Sequence, residues 1–138
     1  MNPTPKWYLP VAVLALLWNL LGCAAFAMDL MLTPDVVATL PADQQALYAA
    51  RPAWALVGTG LAVVGGALGS LGLVLKRAWA WPLLLLSLLG LLLQDAALVG
   101  LTGELLTPAI WVMQGAVLVI ALGLVWLAWA ARARGWLR

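Results

Sequence analysis

Four apolar runs of membrane-crossing length dominate this chain and leave it one kind of solvent. A hydrocarbon core of ~30 Å needs about 20 apolar residues per helix. The runs over residues 9–32, 53–75, 81–101 and 109–131 meet that length. They are too long for soluble strands and lack period-2 alternation, which excludes a β-barrel. The chain is 66% hydrophobic and 9% charged, too little polar surface for a soluble domain. The expected fold is an all-α membrane protein: one domain over residues 1–138, four transmembrane helices in an antiparallel bundle.

The charges orient the bundle. Lys6, Lys76, Arg77, Arg132, Arg134 and Arg138 fall on one side, Arg51 alone on the other. Asp29, Asp35, Asp43, Asp95 and Glu104 lie on the Arg51 side or in that part of a span. Basic loops stay inside, so both termini are expected in the cytoplasm. Nine Trp suit anchoring at the lipid–water boundary.

LLWNLLGC, residues 16–23, looks at first like a lipoprotein cleavage site. A secretory signal has an apolar core of about 7–15 residues. Here the apolar stretch runs on past Cys23 through AAFAM, and Leu stands where Ser or Ala usually precedes the Gly. The first helix is therefore expected to stay uncut.

The loop over residues 33–52 carries two helix starts. Thr33-Pro34-Asp35 offers a capping hydroxyl, a proline at the first position and an acid in the first turn. Pro41-Ala42-Asp43 begins another. One or two short surface helices are expected there, with Leu40, Leu47 and Tyr48 as candidates to face inward, unless the loop is merely a solvated connector.

In lipid, helices associate through close backbone approach and interhelical hydrogen bonds. Gly58, Ala62, Gly65, Gly69 and Gly72 share one face of the second span as a smooth groove. It serves packing within one chain or a homodimer seam. A matching stripe on the first span, Ala12, Ala15, Asn19, Gly22, Phe26 and Asp29, should meet the second span or the bundle centre.

By helix rise Asn19 lies ~15 Å in, Gln94 and Asp95 ~20 Å from the cytoplasmic end, and Gln114 ~8 Å below the outer surface. The cytoplasmic half is almost all apolar, with Ser70 and Ser87 as minor exceptions. A polar pocket open to the outside and closed below is expected. Asn19, Gln94, Asp95 and Gln114 would supply its hydrogen bonds, with Trp54, Trp111 and Tyr48 as aromatic platforms. The plainer role for the amides is interhelical glue, roughly 0.6–2 kcal/mol per bond. An acid inside a membrane costs roughly 2.5–3.5 kcal/mol on insertion scales, so Asp95 should face an interior or water. Arg51 is the one cation placed to reach it.

With no His and one Cys, the chain offers no intramolecular disulfide and lacks the usual ligands of zinc and haem. No metal, cofactor or nucleic-acid partner is expected. A lipid-active enzyme would need Asp29, Asp95 and Glu104 to converge, and no nucleophile stands with a base at fixed spacing.

Three blocks, KWYLPVAVLALLWNLLG, LTPDVVATLPADQQALYAARPAW and AVVGGALGSLGLVLKRAWAWPLLLLSLLGLLLQ, carry a family resemblance over residues 6–94. Together they resemble small bacterial four-span proteins labelled "sugar transporter". The resemblance implies a bacterial cytoplasmic membrane, a small polar solute, and recurring polar positions at Asn19 and Gln94. Two function readings follow. One is a sugar-like solute-binding or transport component. The other is a non-catalytic subunit that assembles with or stabilises a homodimer or a larger membrane complex.

The orientation has a direct check. In a Cys23→Ala background, a membrane-impermeant maleimide applied to intact cells should label Asp43→Cys and spare Arg134→Cys. The reverse pattern would invert the bundle.

Overall fold

The computed structural model describes residues 3–138. Its elements are α1 (Tyr8–Leu30), α2 (Pro34–Val37), α3 (Ala42–Ala50), α4 (Ala53–Val74), α5 (Ala80–Thr102), a 3₁₀ turn (Gly103–Leu105) and α6 (Pro108–Ala133). The structure is all-α, and α1, α4, α5 and α6 are each long and apolar enough to cross a membrane. This is the architecture of a multi-pass membrane protein. One end of the bundle carries the residues leading into α1, the C-terminal segment and the 75–79 turn; the other carries α2, α3 and the 3₁₀ turn. These are called below the terminal end and the loop end.

Helix starts follow their sequence signals. Thr33 caps α2 by accepting a hydrogen bond from the Val36 amide, and Thr107 caps α6 by accepting one from Ile110. Each is followed by a proline, whose missing N–H had no helical partner at that position. At the terminal end, α4 stops at Lys76 with φ 56°, and the Arg77 amide turns back to the Gly72 carbonyl at 2.8 Å. Past α6, Gly135 (φ 76°) lets the Trp136 amide reach Ala131 at 2.9 Å. Both are left-handed closures that satisfy otherwise orphaned helix carbonyls.

The second span's glycine groove is filled by α5 of the same chain. A Cβ on Gly58 would stand 2.8 Å from the Gly90 carbonyl oxygen, and one on Gly90 would stand 2.6 Å from that of Gly58. Further along, Gly65 meets Leu83 and Ser87, Gly69 meets Leu84, and Gly72 meets Trp79 and Ala80. Ala62 belongs to the same contact, its amide nitrogen facing Gly90 and its carbonyl accepting from the Ser87 hydroxyl.

The α1 stripe uses a different face of α4. Phe26 lies over Gly60, Gly22 and the Cys23 thiol against Val63, and Asn19 against Gly66 and Ser70. The Tyr8 hydroxyl donates to the Leu73 carbonyl at 2.7 Å. α4 is therefore small-sided twice over and forms the post of the bundle, with α5 on one side, α1 on another, and α6 packed on α5.

The core sits at the terminal end. Tyr8, Ala12 and Ala15 of α1 join Leu124, Leu127, Ala128 and Ala131 of α6, with Leu73, Leu84, Trp136 and Leu137. Trp136 packs edge-on to Tyr8, ring centroids 5.7 Å apart. The C-terminal segment is sewn to the 75–79 turn by two backbone bonds, Ala78 N–H to the Arg138 carbonyl (2.6 Å) and Arg138 N–H to the Lys76 carbonyl (2.8 Å).

Gly58→Ala should lower stability in detergent by about 1–3 kcal/mol, the usual penalty of forcing a methyl group into a packed contact. Gly115→Ala is the control, because a Cβ there meets nothing within 4 Å. Thermal unfolding of the two variants side by side checks the difference.

Candidate functional site

Asn19, Gln94 and Gln114 come from three helices and line one cleft. α1 and α6 meet in the core at the terminal end and separate above it. The gap is a cleft of about 440 Å³, within the usual range of ligand sites. α1 supplies Trp18, Asn19, Leu21, Gly22 and Ala25 to its wall, and α6 supplies Met113, Gln114 and Val117. Leu84, Leu91, Ser87 and Gln94 of α5, with Ala62 and Val63 of α4, close the back. Leu84 and Leu124 mark its foot, where the apolar core begins.

Each amide is partly spent on the bundle. The Asn19 side-chain N–H₂ donates one bond to the Ala15 carbonyl (2.9 Å) and one to Ser70 Oγ (3.0 Å). Its Oδ1 lies over Gly66, where a Cβ would overlap it, so only glycine admits the amide at that point. Thr59 Oγ1 donates to Gln94 Oε1 at 2.6 Å, and Gln94 Nε2 donates to Gln114 Oε1 at a long 3.4 Å. An amide carries two donor hydrogens and an acceptor with two lone pairs. Unspent capacity remains at Asn19 Oδ1, the second Gln94 hydrogen and the Gln114 N–H₂. Acceptor and donors together suit a hydroxyl group, which both gives and takes a hydrogen bond. Among the described residues, no Asp, Glu, Lys or Arg lines this cleft.

A second cavity of about 320 Å³ lies under α3 at the loop end. Leu47, Tyr48 and Arg51 form its loop-side wall, and Ala55, Ala97 and Ile110 the bundle side. Gln94 lines this cavity too, so one side chain stands between the two spaces. Arg51 pairs with Asp29 at 2.8 Å and lies over the Tyr48 ring, 4.9 Å from its centroid. Burial pushes the Tyr48 hydroxyl above its ordinary range. The Asp29 carboxylate adds to that as hydrogen-bond partner and as negative charge, while Arg51 pulls the other way.

The remaining expected site residues fall elsewhere. Tyr48 lines the loop-end cavity, apart from the amides of Asn19 and Gln114. Asp95 lines neither cavity, and its Oδ1 is enclosed without a hydrogen-bond partner. Arg51, the cation placed to reach it, is held by Asp29 instead. Trp54 and Trp111 line neither space and are 45% and 48% exposed on the outside of the bundle, a position suited to boundary anchoring. Among the described residues, no three acidic or thiol groups gather where a metal ion could be held. Sequence reasoning passed over Thr59 and set Ser70 and Ser87 down as minor exceptions, yet all three hold the amides and the cleft wall in place. Their signal was position: Ser70 and Ser87 sit in otherwise apolar helices, where a hydroxyl normally has a partner.

No protein family, curated protein or solved structure matches this chain. The fold and cleft define a class only: a helical multi-pass membrane protein with a mid-bundle amide site.

The Asn19–Ser70 bond should show in a double-mutant cycle. Asn19→Ala and Ser70→Ala, singly and together, should give a coupling of about 0.6–2 kcal/mol in detergent unfolding, the range for interhelical polar pairs. Strict additivity would remove the bond from the account.

Proposed function

We propose that this protein is a non-enzymatic component of a bacterial cytoplasmic membrane that binds a small uncharged polar solute as part of its transport. The solute is sugar-like in presenting hydroxyl groups. Both termini lie in the cytoplasm, in keeping with the six-to-one bias of basic residues toward that side. The loop end then faces outward. The observation that carries the reading is the convergence of Asn19, Gln94 and Gln114, with hydrogen-bonding capacity unspent, on one uncharged cleft. The resemblance to four-span proteins labelled as sugar transporters implies the same solute class.

A non-catalytic subunit of a homodimer or larger complex is the second reading, favoured by one feature of α6. Gly115 and Gly123 have open space where a Cβ would go, and Val119 between them is exposed. That outward strip suits a neighbouring helix. Gly115→Leu with Gly123→Leu should then dissociate the assembly seen by native mass spectrometry in mild detergent. An unchanged bare chain sets this reading aside.

For the solute reading, the purified chain in vesicles is titrated with radiolabelled neutral monosaccharides and polyols. Asn19→Ala with Gln114→Ala should weaken binding about tenfold or more, as expected for two lost neutral hydrogen bonds. Asp95→Asn, off the cleft, should leave it unchanged. Equal binding by the double variant would end the proposal.

A further inference from the structure

We infer that the cleft between α1 and α6 takes its ligand from the side, from within the membrane, and that the ligand is an uncharged amphiphile whose hydroxyl-bearing head meets the amides while its apolar chain lies between the two helices. This rests on the reading of the cleft as a solute site and narrows it.

Helix order supplies the first argument. α1 packs on α4, α4 on α5 and α5 on α6, so three sides of the ring are closed. The fourth side, between α1 and α6, is closed only by the core at the terminal end. In four helices that cross a bilayer, a gap between two neighbours faces hydrocarbon. The lips point the same way: Leu21 on α1 is 69% exposed and Met113 on α6 is 65% exposed, both on the outside of spanning helices.

The lining supplies the second argument. Toward the mouth the walls are Trp18, Leu21, Met113, Val117 and Ile120, while Asn19, Ser87 and Gln94 lie deeper, against α4 and α5. A free sugar is polar on all sides and would leave hydroxyls against these apolar walls, each an unpaired polar group at a cost. A molecule with one polar end and one apolar end satisfies both regions. Charge decides between amphiphiles. With no ionisable side chain in the cleft, a phosphate or ammonium head would enter the membrane unpaired. A neutral head has no such penalty.

The full chain is placed in phosphatidylcholine nanodiscs with decyl glucoside carrying a diazirine in its alkyl chain, using protein-free discs to correct for partitioning. Unlabelled decyl glucoside and free glucose serve as competitors, and labelled residues are mapped by mass spectrometry. The expected label falls on residues 18–25 and 113–121. Decyl glucoside should compete at least about tenfold better than glucose, since a buried chain adds apolar contact. Gln114→Leu should cut the label about tenfold, as should Ala121→Phe, which adds bulk to the cleft lining and removes no amide. Helical content of each variant is verified by circular dichroism. If glucose binds with Asn19 dependence and competes as well as the glucoside, side access is overturned and the solute site stands. Label spread evenly over all four helices and indifferent to both variants overturns the amphiphile; an absence of glucose binding in the same discs takes the solute reading with it.

Discussion

The close approach of α4 and α5 is the contact on which the rest of the bundle depends. Gly58 and Gly90 face each other so closely that each backbone carbonyl occupies the space a side chain would need on the other. In lipid there is little hydrophobic drive to bring helices together, because the surrounding tails are as apolar as leucine. What remains is dispersion between well-fitted surfaces, weak Cα–H to carbonyl contacts and a few true hydrogen bonds. Glycine serves the first two, and the Ser87 hydroxyl on Ala62 and the Thr59 hydroxyl on Gln94 serve the third. Bringing the two backbones together sets the depth and direction of every polar side chain on α5.

From that pair the site follows. α1 lies on the other small face of α4, so Asn19 reaches Ser70 and is oriented toward the middle. α6 joins from the α5 side, bringing Gln114 to Gln94. The two outer helices are drawn together at the terminal end by Tyr8, Trp136 and the paired backbone of Lys76, Ala78 and Arg138. Nothing comparable draws them together above, and the cleft is the space left between them. Part of the amides' hydrogen-bonding capacity thus holds helices together, and part is left unspent in the residues that line the cleft.

Much of this was legible in the residues. Every spanning helix begins and ends within two residues of its expected limits, because length and hydropathy are enough to place a helix in a bilayer. The loop helices followed from Thr33-Pro34, where the threonine hydroxyl caps the first turn, and from Pro41, which starts α3 without a side-chain cap. The glycine groove was visible as a stripe, but not which helix fills it. Nor was the second small face, Gly60, Gly66 and Ser70, which does not follow the spacing of the first. Position along each helix was legible, and direction around it was not. Gln94 and Asp95 are adjacent in sequence and about 100° apart around the helix, enough to put one in the cleft and the other outside it. Trp54 and Trp111 are half-exposed and line neither cavity. Direction depends on which neighbour packs where, and that is a property of the whole bundle. Arg51 illustrates the same point: its partner is Asp29, brought alongside by the fold from a different helix.

A bundle sewn at one end and parted at the other has unequal stiffness along its length. The terminal core joins α1 to α6, while above it α1 is held to α4 through Asn19, Cys23 and Phe26, and α6 to α5 through Gln114. The two outer helices therefore lean on each other at one end and on the central pair along the rest, so the cleft opens without interrupting the fastened core.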